Sequence, residues 1–296
     1  MSTETIFSIS HGKYSAEIST TGAALATLKF DGSDLIEPRT HNRYFSGELL
    51  APWPNRIRDG KYRYRGDDYQ LPINEVNRNN ALHGLVFDKN WSVGTYEKDQ
   101  ITLKITIDEQ EKYPGTLELE INYKLDELGL LSTLTATNRG ATQIPYGAST
   151  HPYISVPGLS SVNNFKLGLG ANKVLLTDAQ RLLPIELIDV ESTNFDFRTP
   201  RAIGDLFIDH AFLQDPDLPK VVSVTSHDGK GVLISFNDSA KWVQIHTADR
   251  FGGADSRKVL AVEPMTCPPD AFNSGIDLIE LSPEQNHELI WRIQAK

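Results

Sequence analysis

Strict alternation of apolar and polar residues constrains the fold of this chain more than any other feature of its sequence. Residues 101–107 read ITLKITI, and residues 117–125 repeat the pattern as LELEINYKL. Successive side chains of a β-strand point to opposite faces, so such alternation is typical of a sheet with one buried face. We therefore predict β-strands in both segments.

Short turn motifs separate these alternating runs. They comprise Asp31-Gly32, Leu128-Gly129, Asp228-Gly229 and the segment 65–67, which lies between two short tyrosine-containing runs. Glycine next to aspartate or another turn residue between two alternating runs indicates a hairpin, and hairpins pair strands antiparallel. The closing segment 287–293 alternates as well and is predicted to be a last strand.

Helical periodicity is scarce. Segments 185–190 and 200–207 could each hold one or two helical turns, the second with Thr199 as a cap before Pro200. Many strands, few short helices and no Gly/Ser linker predict an all-β fold, a large antiparallel β-sandwich. We expect residues 1–296 to form a single domain.

Composition narrows the class of partner. The net charge of −10 disfavours a generalised nucleic-acid or anionic-membrane surface through long-range repulsion. Residues 1–6 lack a basic or apolar targeting pattern, and no stretch approaches the ~20 apolar residues that span a bilayer. We expect a soluble cytoplasmic protein, a monomer or weak homodimer, whose partner is a small molecule. The single cysteine, Cys267, excludes an internal disulfide.

Three stretches depart from alternation and are crowded with polar and aromatic residues, as in loops that support chemistry on a rigid sheet. They are residues 50–60 with the nearby 79–86, residues 144–154, and residues 259–273. These stretches contain four short motifs: PNRI at 54–57, NALHG at 80–84, His-x-Tyr at 151–153, and Glu263-Pro264.

In this order, and on an all-β background, the four motifs resemble those of the galactose mutarotase (aldose 1-epimerase) family. One departure is visible, because better-known members carry Tyr-Phe-Asn-Leu after the histidine whereas this chain has PYIS at 152–155. The resemblance is therefore to a divergent, bacterial-type branch. The departure leaves the identity of the sugar more open than the reaction.

The resemblance implies a galactose mutarotase-like supersandwich with an open carbohydrate cleft and no cofactor. It places a general base at Glu263 and a general acid at His151. It assigns sugar binding to Arg56, His83, Asp209, Tyr153 and Asn55. The aspartate is matched by its place in the acidic and aromatic segment 207–212, where His210 and Asp205 are the alternatives.

Ring opening explains why such a family needs these residue types. A proton must leave the anomeric hydroxyl while another reaches the ring oxygen, which calls for a base and an acid on opposite sides of the C1–O5 segment. Each well-placed proton-transfer group is worth ~100 to 10,000-fold in rate. A carboxylate such as Glu263 suits the base. A histidine, with an ordinary pKa of ~6.5, is protonated at useful levels near neutral pH.

Other residues near the motifs receive supporting interpretations. Trp53, Tyr146 and Tyr153 are expected to form an apolar platform for the C–H face of a pyranose. His246, on the alternating run 243–247, is expected to have a structural role. The histidines and carboxylates show no compact spacing such as His-x-x-x-His, so we predict no metal site.

Three alternative functions stay open. A hexose-6-phosphate 1-epimerase would need cations aimed at the phosphate, for which Arg58, Lys61 and Arg65 are candidates. A glycoside hydrolase could use Asp209 and Glu263 as carboxylates ~5 to ~9 Å apart, but it leaves the two histidines and Arg56 unexplained. A non-catalytic sugar-binding protein would keep the cleft, although both proton-transfer candidates are intact.

Overall fold

The alternating segments form neighbouring strands of a nine-stranded antiparallel sheet in the computed structural model of the protein. The structure describes residues 4–39, 45–109, 112–249 and 256–296. Its strands, in chain order, are β1 (Ile6–His11), β2 (Tyr14–Ser19), β3 (Leu25–Phe30), β4 (Ser33–Asp34), β5 (Leu49–Leu50), β6 (Arg56–Arg58), β7 (Lys61–Tyr64), β8 (Asp67–Gln70), β9 (Asn80–Leu82), β10 (Ser92–Tyr96), β11 (Gln100–Ile107), β12 (Leu117–Asp126), β13 (Gly129–Asn138), β14 (Ile144–Tyr146), β15 (Ser149–Thr150), β16 (Tyr153–Ile154), β17 (Lys166–Leu169), β18 (Ala171–Thr177), β19 (Pro184–Asp189), β20 (Arg201–Ala202), β21 (Asp209–Gln214), β22 (Val221–Thr225), β23 (Gly231–Phe236), β24 (Trp242–His246), β25 (Leu260–Met265), β26 (Ile279–Leu281) and β27 (Asn286–Ala295).

Two large sheets dominate the architecture. The nine-stranded sheet has the order β10-β11-β12-β13-β27-β23-β22-β17-β20. The eight-stranded sheet has the order β19-β18-β21-β24-β25-β15-β5, with β16 also paired to β25. A four-stranded sheet (β1 to β4) and the two-stranded pairs β14-β26, β6-β9 and β7-β8 complete the set. The strand pairs of both large sheets are antiparallel.

Alternation dictates which face of each central strand is buried. In β12, Leu119, Ile121 and Tyr123 are fully buried, while Glu118 and Glu120 between them are only partly covered. The same contiguous core contains Ile121 of the nine-stranded sheet and Phe212 and Val262 of the eight-stranded sheet. The two sheets therefore pack face to face, and the predicted all-β antiparallel sandwich is confirmed.

The hairpin predictions are confirmed at every predicted turn. Turns at 31–32, 65–66, 127–128 and 226–230 join β3 to β4, β7 to β8, β12 to β13, and β22 to β23. The predicted last strand is β27, which lies between β13 and β23 and so ties the end of the chain into the middle of the larger sheet.

Both helix predictions are wrong. Residues 184–189 form the edge strand β19, because their backbone groups pair with β18 and a run this short is too brief for a stable isolated helix. Within 200–207, the pair Arg201–Ala202 adds to β17 instead. The described helices are α1 (Ala271–Ser274) and two single 3-10 turns, Val76–Arg78 and Val162–Asn164. None of the described helices is long and apolar enough to cross a membrane.

Leu134 offers a direct test of the shared core. It is fully buried in β13, opposite Ile121 and Leu289, so Leu134→Ala should lower the free energy of unfolding by about 2 to 5 kcal/mol through lost apolar contacts and a residual cavity. Leu128→Ala is the matched control, since Leu128 is 62% exposed in the adjoining turn, and should change stability by less than about 0.5 kcal/mol. Equal values in urea unfolding would contradict the packing described.

Candidate active site

Three adjacent strands of the eight-stranded sheet present polar side chains on one face. In the register of β21, β24 and β25, Asp209 lies opposite His246, and Gln244 lies opposite Glu263. Because side chains alternate along a strand, these four share one face, while Ile245 between them points into the core. The sheet thus gathers residues that are far apart in the sequence.

His151 reaches this face from the link between β15 and β16, which both pair with β25. Its backbone is held in place because its N–H donates to the carbonyl of Glu48 (3.2 Å) and its carbonyl accepts from the N–H of Gly47 (2.9 Å). The imidazole is buried, and its Nε2 lies 3.3 Å from Oε1 of Glu263. The two predicted proton-transfer residues are therefore in direct contact.

His83 is locked by its neighbour Asn55. The backbone N–H of Asn55 donates to Nδ1 of His83 (3.2 Å), and the N–H of His83 donates to the carbonyl of Asn55 (2.8 Å). Since Nδ1 accepts, the ring hydrogen is assigned to Nε2, which can donate to a ligand. Gly84 permits this turn, because its φ is +80° and a Cβ there would lie 2.1 Å from the carbonyl oxygen of Ala51.

Arg56 is a buried cation whose counter-ion, Glu75, is shared with Arg78. Its Nε and Nη2 donate to the two carboxylate oxygens of Glu75 at 2.8 and 2.9 Å, a bidentate pair. Glu75 also accepts from the side-chain amide of Asn80 (2.9 Å). Burial alone would lower the pKa of Arg56, but the bond to Glu75 and the charges of Asp209 and Glu263 raise it, so the guanidinium stays charged.

All seven predicted site residues line one cavity of about 540 Å³. Its wall comprises Phe45, Asn55, Arg56, Asn74, Glu75, Val76, Asn77, Arg78, Leu82, His83, His151, Tyr153, Asp209, His246 and Glu263. Asp209 lines the cavity, whereas the alternatives His210 and Asp205 are not among the described residues of its wall. The structure therefore brings together the residues of all four motifs.

The aromatic platform is partly wrong. Tyr153 lines the cavity, 4.9 Å from the ring of His151, but Trp53 and Tyr146 are buried in the core instead. Phe45 also lines the cavity, and the sequence did not indicate it. Its ring centroid lies 4.4 Å from that of His83. No motif contains Phe45, and only the folded chain brings residues 45 and 83 together.

His246 also lines the cavity. Its expected structural role stays a prediction. The pattern of β24 correctly indicates that residues 242, 244 and 246 share a face. It does not say that the neighbouring strands place Asp209 and Glu263 on that face.

Burial controls the protonation of the central pair. It raises the pKa of Glu263 well above its usual value, helped by the negative charge of Asp209 and opposed by Arg56. Burial, with the nearby His246, lowers the pKa of His151 to about 3. Burial therefore opposes the protonation of His151 that was expected near neutral pH, because a buried imidazolium loses its hydration. Both shifts favour the neutral forms of the pair, with the proton on the Glu263 carboxyl.

A metal is chemically disfavoured at this cluster. Ligand atoms of His83, His151 and Glu263 lie within 4.8 Å of one another, a set of residue types that zinc accepts. The Nδ1 atom of His83 already accepts from the backbone of Asn55, and its Nε2 then carries hydrogen, so neither nitrogen offers a lone pair. Two ligands remain, fewer than the three of usual catalytic zinc sites. Absence of a metal stays a prediction.

The cations proposed for a phosphate do not line the cleft in the described part of the chain. Nε of Arg58 lies 3.5 Å from Oδ2 of Asp270, with which it forms an ion pair. Lys61 lies in a different surface depression beside Tyr62 and Tyr69. Arg65 lies in the exposed turn between β7 and β8 and is not part of the cavity wall. These three residues therefore do not support a phosphorylated substrate.

Comparison with known proteins agrees with this geometry. The family model for aldose 1-epimerase matches residues 5–294. The chain belongs to the aldose 1-epimerase family. This family member is 36% identical to the uncharacterized protein YihR of Escherichia coli K12, over 98% of this chain and 92% of that protein. It is 29% identical to the galactose mutarotase of Homo sapiens, over 77% of this chain and 70% of that protein.

A solved structure shares the fold of this aldose 1-epimerase family member. The GalM/aldose epimerase homologue of C. elegans superimposes with a TM-score of 0.86 and covers 99% of each chain, at 19% identity. At that identity the likeness shows the fold alone. It confirms the galactose mutarotase-like architecture that the motifs had suggested.

The ion pair beneath the cleft gives a stability prediction for this family member. Arg56 and Glu75 are 7% and 11% exposed, so Glu75→Gln leaves a buried guanidinium without its counter-ion and should cost about 3 to 5 kcal/mol in urea unfolding. Asp68→Asn is the matched control, because the Arg63–Asp68 pair is almost fully exposed, and should cost less than about 0.5 kcal/mol. A Glu75→Gln value as small as the control would refute the role of this pair.

Proposed function

We propose that the protein is an aldose 1-epimerase that interconverts the α and β anomers of a free aldohexose by opening and reclosing the ring. The contact between Glu263 and His151 inside a cavity lined by hydrogen-bonding side chains carries this proposal. Membership of the aldose 1-epimerase family and similarity to proteins named galactose mutarotase support it.

The geometry revises how acid and base flank the sugar. They were expected on opposite sides of the C1–O5 segment, but Glu263 and His151 lie side by side at 3.3 Å. This suits the reaction, because the anomeric oxygen and the ring oxygen are both bonded to C1 and so are neighbours themselves. The anomeric hydroxyl can hydrogen-bond to the carboxylate while the ring oxygen accepts a hydrogen bond from the imidazole.

A pair that holds one proton is sufficient for both directions. In ring opening, Glu263 takes the proton of the anomeric hydroxyl as His151 gives its proton to O5, the C1–O5 bond breaks, and C1 becomes an aldehyde carbon. After the open chain rotates about C1–C2, the transfers reverse on the other face of C1. The protein ends as it began, and no oxidant or second substrate is consumed.

One charged neighbour favours the ion-pair form that starts this sequence. Arg56 lowers the pKa of Glu263 and so favours the carboxylate, whereas Asp209 raises the pKa of both Glu263 and His151. The effect of Arg56 opposes burial, which favours the neutral pair. We infer that hydroxyl groups of a bound sugar supply the rest of the stabilisation that the ion pair needs.

The remaining wall suits a polar ring with one apolar face. His83 offers an Nε2–H donor, Arg56 offers a fixed guanidinium, and Asp209 offers a carboxylate acceptor. Tyr153 and Phe45 supply aromatic surface for the C–H face of a pyranose.

Proton transfer by the central pair is tested by anomer exchange. Glu263→Gln and His151→Asn should each slow exchange of freshly dissolved α-glucose and α-galactose by about 100 to 10,000-fold, because each removes one proton-transfer group. Polarimetry or exchange NMR gives the rates. The exposed residues Glu191 and His227 supply the controls Glu191→Gln and His227→Asn, which should match the wild type. No acceleration by the wild type over a panel of aldoses would refute the proposal, whereas full activity in Glu263→Gln would refute only that residue's role.

The pH profile tests the shared proton. Glu263 and His151 should hold one proton between them over a wide range of pH. Below about pH 3 His151 would be protonated as well, and above the raised pKa of Glu263 the carboxyl would lose its proton. We therefore expect kcat/KM to be flat through neutral pH and to fall on the alkaline side as the proton is lost. Asp209→Asn removes a charge that raises the pKa of Glu263, so the alkaline limb should move to lower pH.

Asp205→Asn is the control for that shift, since Asp205 is exposed and outside the cavity wall, and its limb should coincide with the wild type. An alkaline limb that stays in place or rises in Asp209→Asn would show that the two carboxyl groups do not interact as described.

A further inference from the structure

His246 is a third cleft histidine that neither the motifs nor the proton chemistry uses. Its side chain is 12% exposed, lines the cavity, and projects from the same sheet face as Glu263. In the register it lies directly opposite Asp209, so the two side chains stand side by side over the sheet.

The spacing between these two side chains leaves room for one bridging oxygen atom. The Nδ1 atom of His246 lies 3.9 Å from Oδ2 of Asp209, too far for a direct hydrogen bond. A single oxygen can nevertheless lie about 2.8 Å from both atoms, with an angle of roughly 90° between the two bonds. The other carboxylate oxygen, Oδ1, accepts from the amide of Gln244 (2.7 Å), which fixes the direction of Oδ2.

Donor and acceptor requirements select the group that fits this gap. With the ring hydrogen of His246 assigned to Nδ1, which faces the carboxylate of Asp209, that N–H can only donate and the carboxylate can only accept. A hydroxyl does both, so it accepts from His246 and donates to Asp209. A hydrogen, a fluorine or an ether oxygen in the same place leaves at least one partner without its bond.

The register also locates this gap relative to the reacting carbon. His246 is opposite Ala261, so it is the diagonal neighbour of Glu263, roughly 7 to 8 Å away. The small Ala261 side chain separates His246 from Tyr153 in the same row and leaves space above the sheet. A pyranose whose C1 lies at Glu263 would span this distance with the hydroxyls on the far side of its ring.

We propose that His246 is a specificity-determining residue that, together with Asp209, binds the C3 or C4 hydroxyl of the sugar. This inference rests on the proposed function for the orientation of the sugar, with C1 at Glu263. His246 therefore makes the protein select sugars by a hydroxyl remote from the reaction, and it takes no part in proton transfer.

The first test uses the unaltered protein. Calorimetric titration with glucose and with its 2-, 3-, 4- and 6-deoxy analogues should show a loss of affinity of about tenfold or more for either the 3-deoxy or the 4-deoxy sugar, since one hydroxyl is paired with both residues. The corresponding fluoro sugar should not restore affinity, because fluorine cannot donate to Asp209. A uniform response to all four deoxy sugars would overturn the proposal.

The second test couples sugar and protein changes in a double-mutant cycle. His246→Phe should lose about tenfold in affinity for glucose but bind the discriminated deoxy sugar as the wild type does. Its KM should rise while kcat changes less than about threefold, because a remote contact is made alike in ground and transition states. Equal losses for every sugar would show a merely structural role.

Conservative variants identify the nitrogen involved. The amide nitrogen of asparagine lies near the position of Nδ1, and that of glutamine lies near Nε2, so His246→Asn should retain most of the affinity and His246→Gln should not. His227→Phe, at an exposed turn, should match the wild type. If His246→Phe does not fold by circular dichroism, His246→Asn and the deoxy panel decide the matter.

The two proposals fail separately. If sugars bind with the expected pattern but the wild type does not accelerate anomer exchange, the proposed function fails and the hydroxyl contact stands. If anomer exchange is fast but the affinity losses from the His246 substitution and from the missing sugar hydroxyl simply add, only the role of His246 fails.

Discussion

Removal of water from the contact between Glu263 and His151 is the constraint on which the rest of the site depends. A buried carboxyl and imidazole favour their neutral forms, which opposes the ion pair that starts ring opening. Arg56 acts in the other direction by lowering the pKa of Glu263, whereas Asp209 raises the pKa of both partners. The charge of Arg56 therefore favours the carboxylate that the proposed ring opening requires.

That balance requires a buried cation, and the fold supports it through successive contacts. Arg56 is held by Glu75, and Glu75 by Asn80. Asn80 also donates to the backbone carbonyl of Arg181, whose guanidinium donates back to the 78–80 segment. The loop between β18 and β19 therefore steadies a cation in the cleft, although its sequence shows no motif.

Prediction from sequence succeeded where the cause is local. The alternation of β12 predicts its buried face without knowledge of its neighbours, and the turns predict its hairpins. In the NALHG motif, Gly84 is required because its positive φ and its approach to Ala51 leave no space for a side chain. What the sequence did not reveal concerns position in space: Trp53 lies in the core, and Phe45 and His246 line the cavity although no motif contains them.

The sequence by itself determined the all-β class, the antiparallel pairing and, through its four motifs, several of the residues that meet in the cleft. Period-two alternation and glycine turns act over a few residues, so they can be read without the fold. Only the tertiary structure decided that Asp209 and His246 face each other across β21 and β24, that Glu263 and His151 touch, and that both of these side chains are buried. Register between distant strands and removal of water depend on how whole sheets pack, and no short stretch of sequence contains that information.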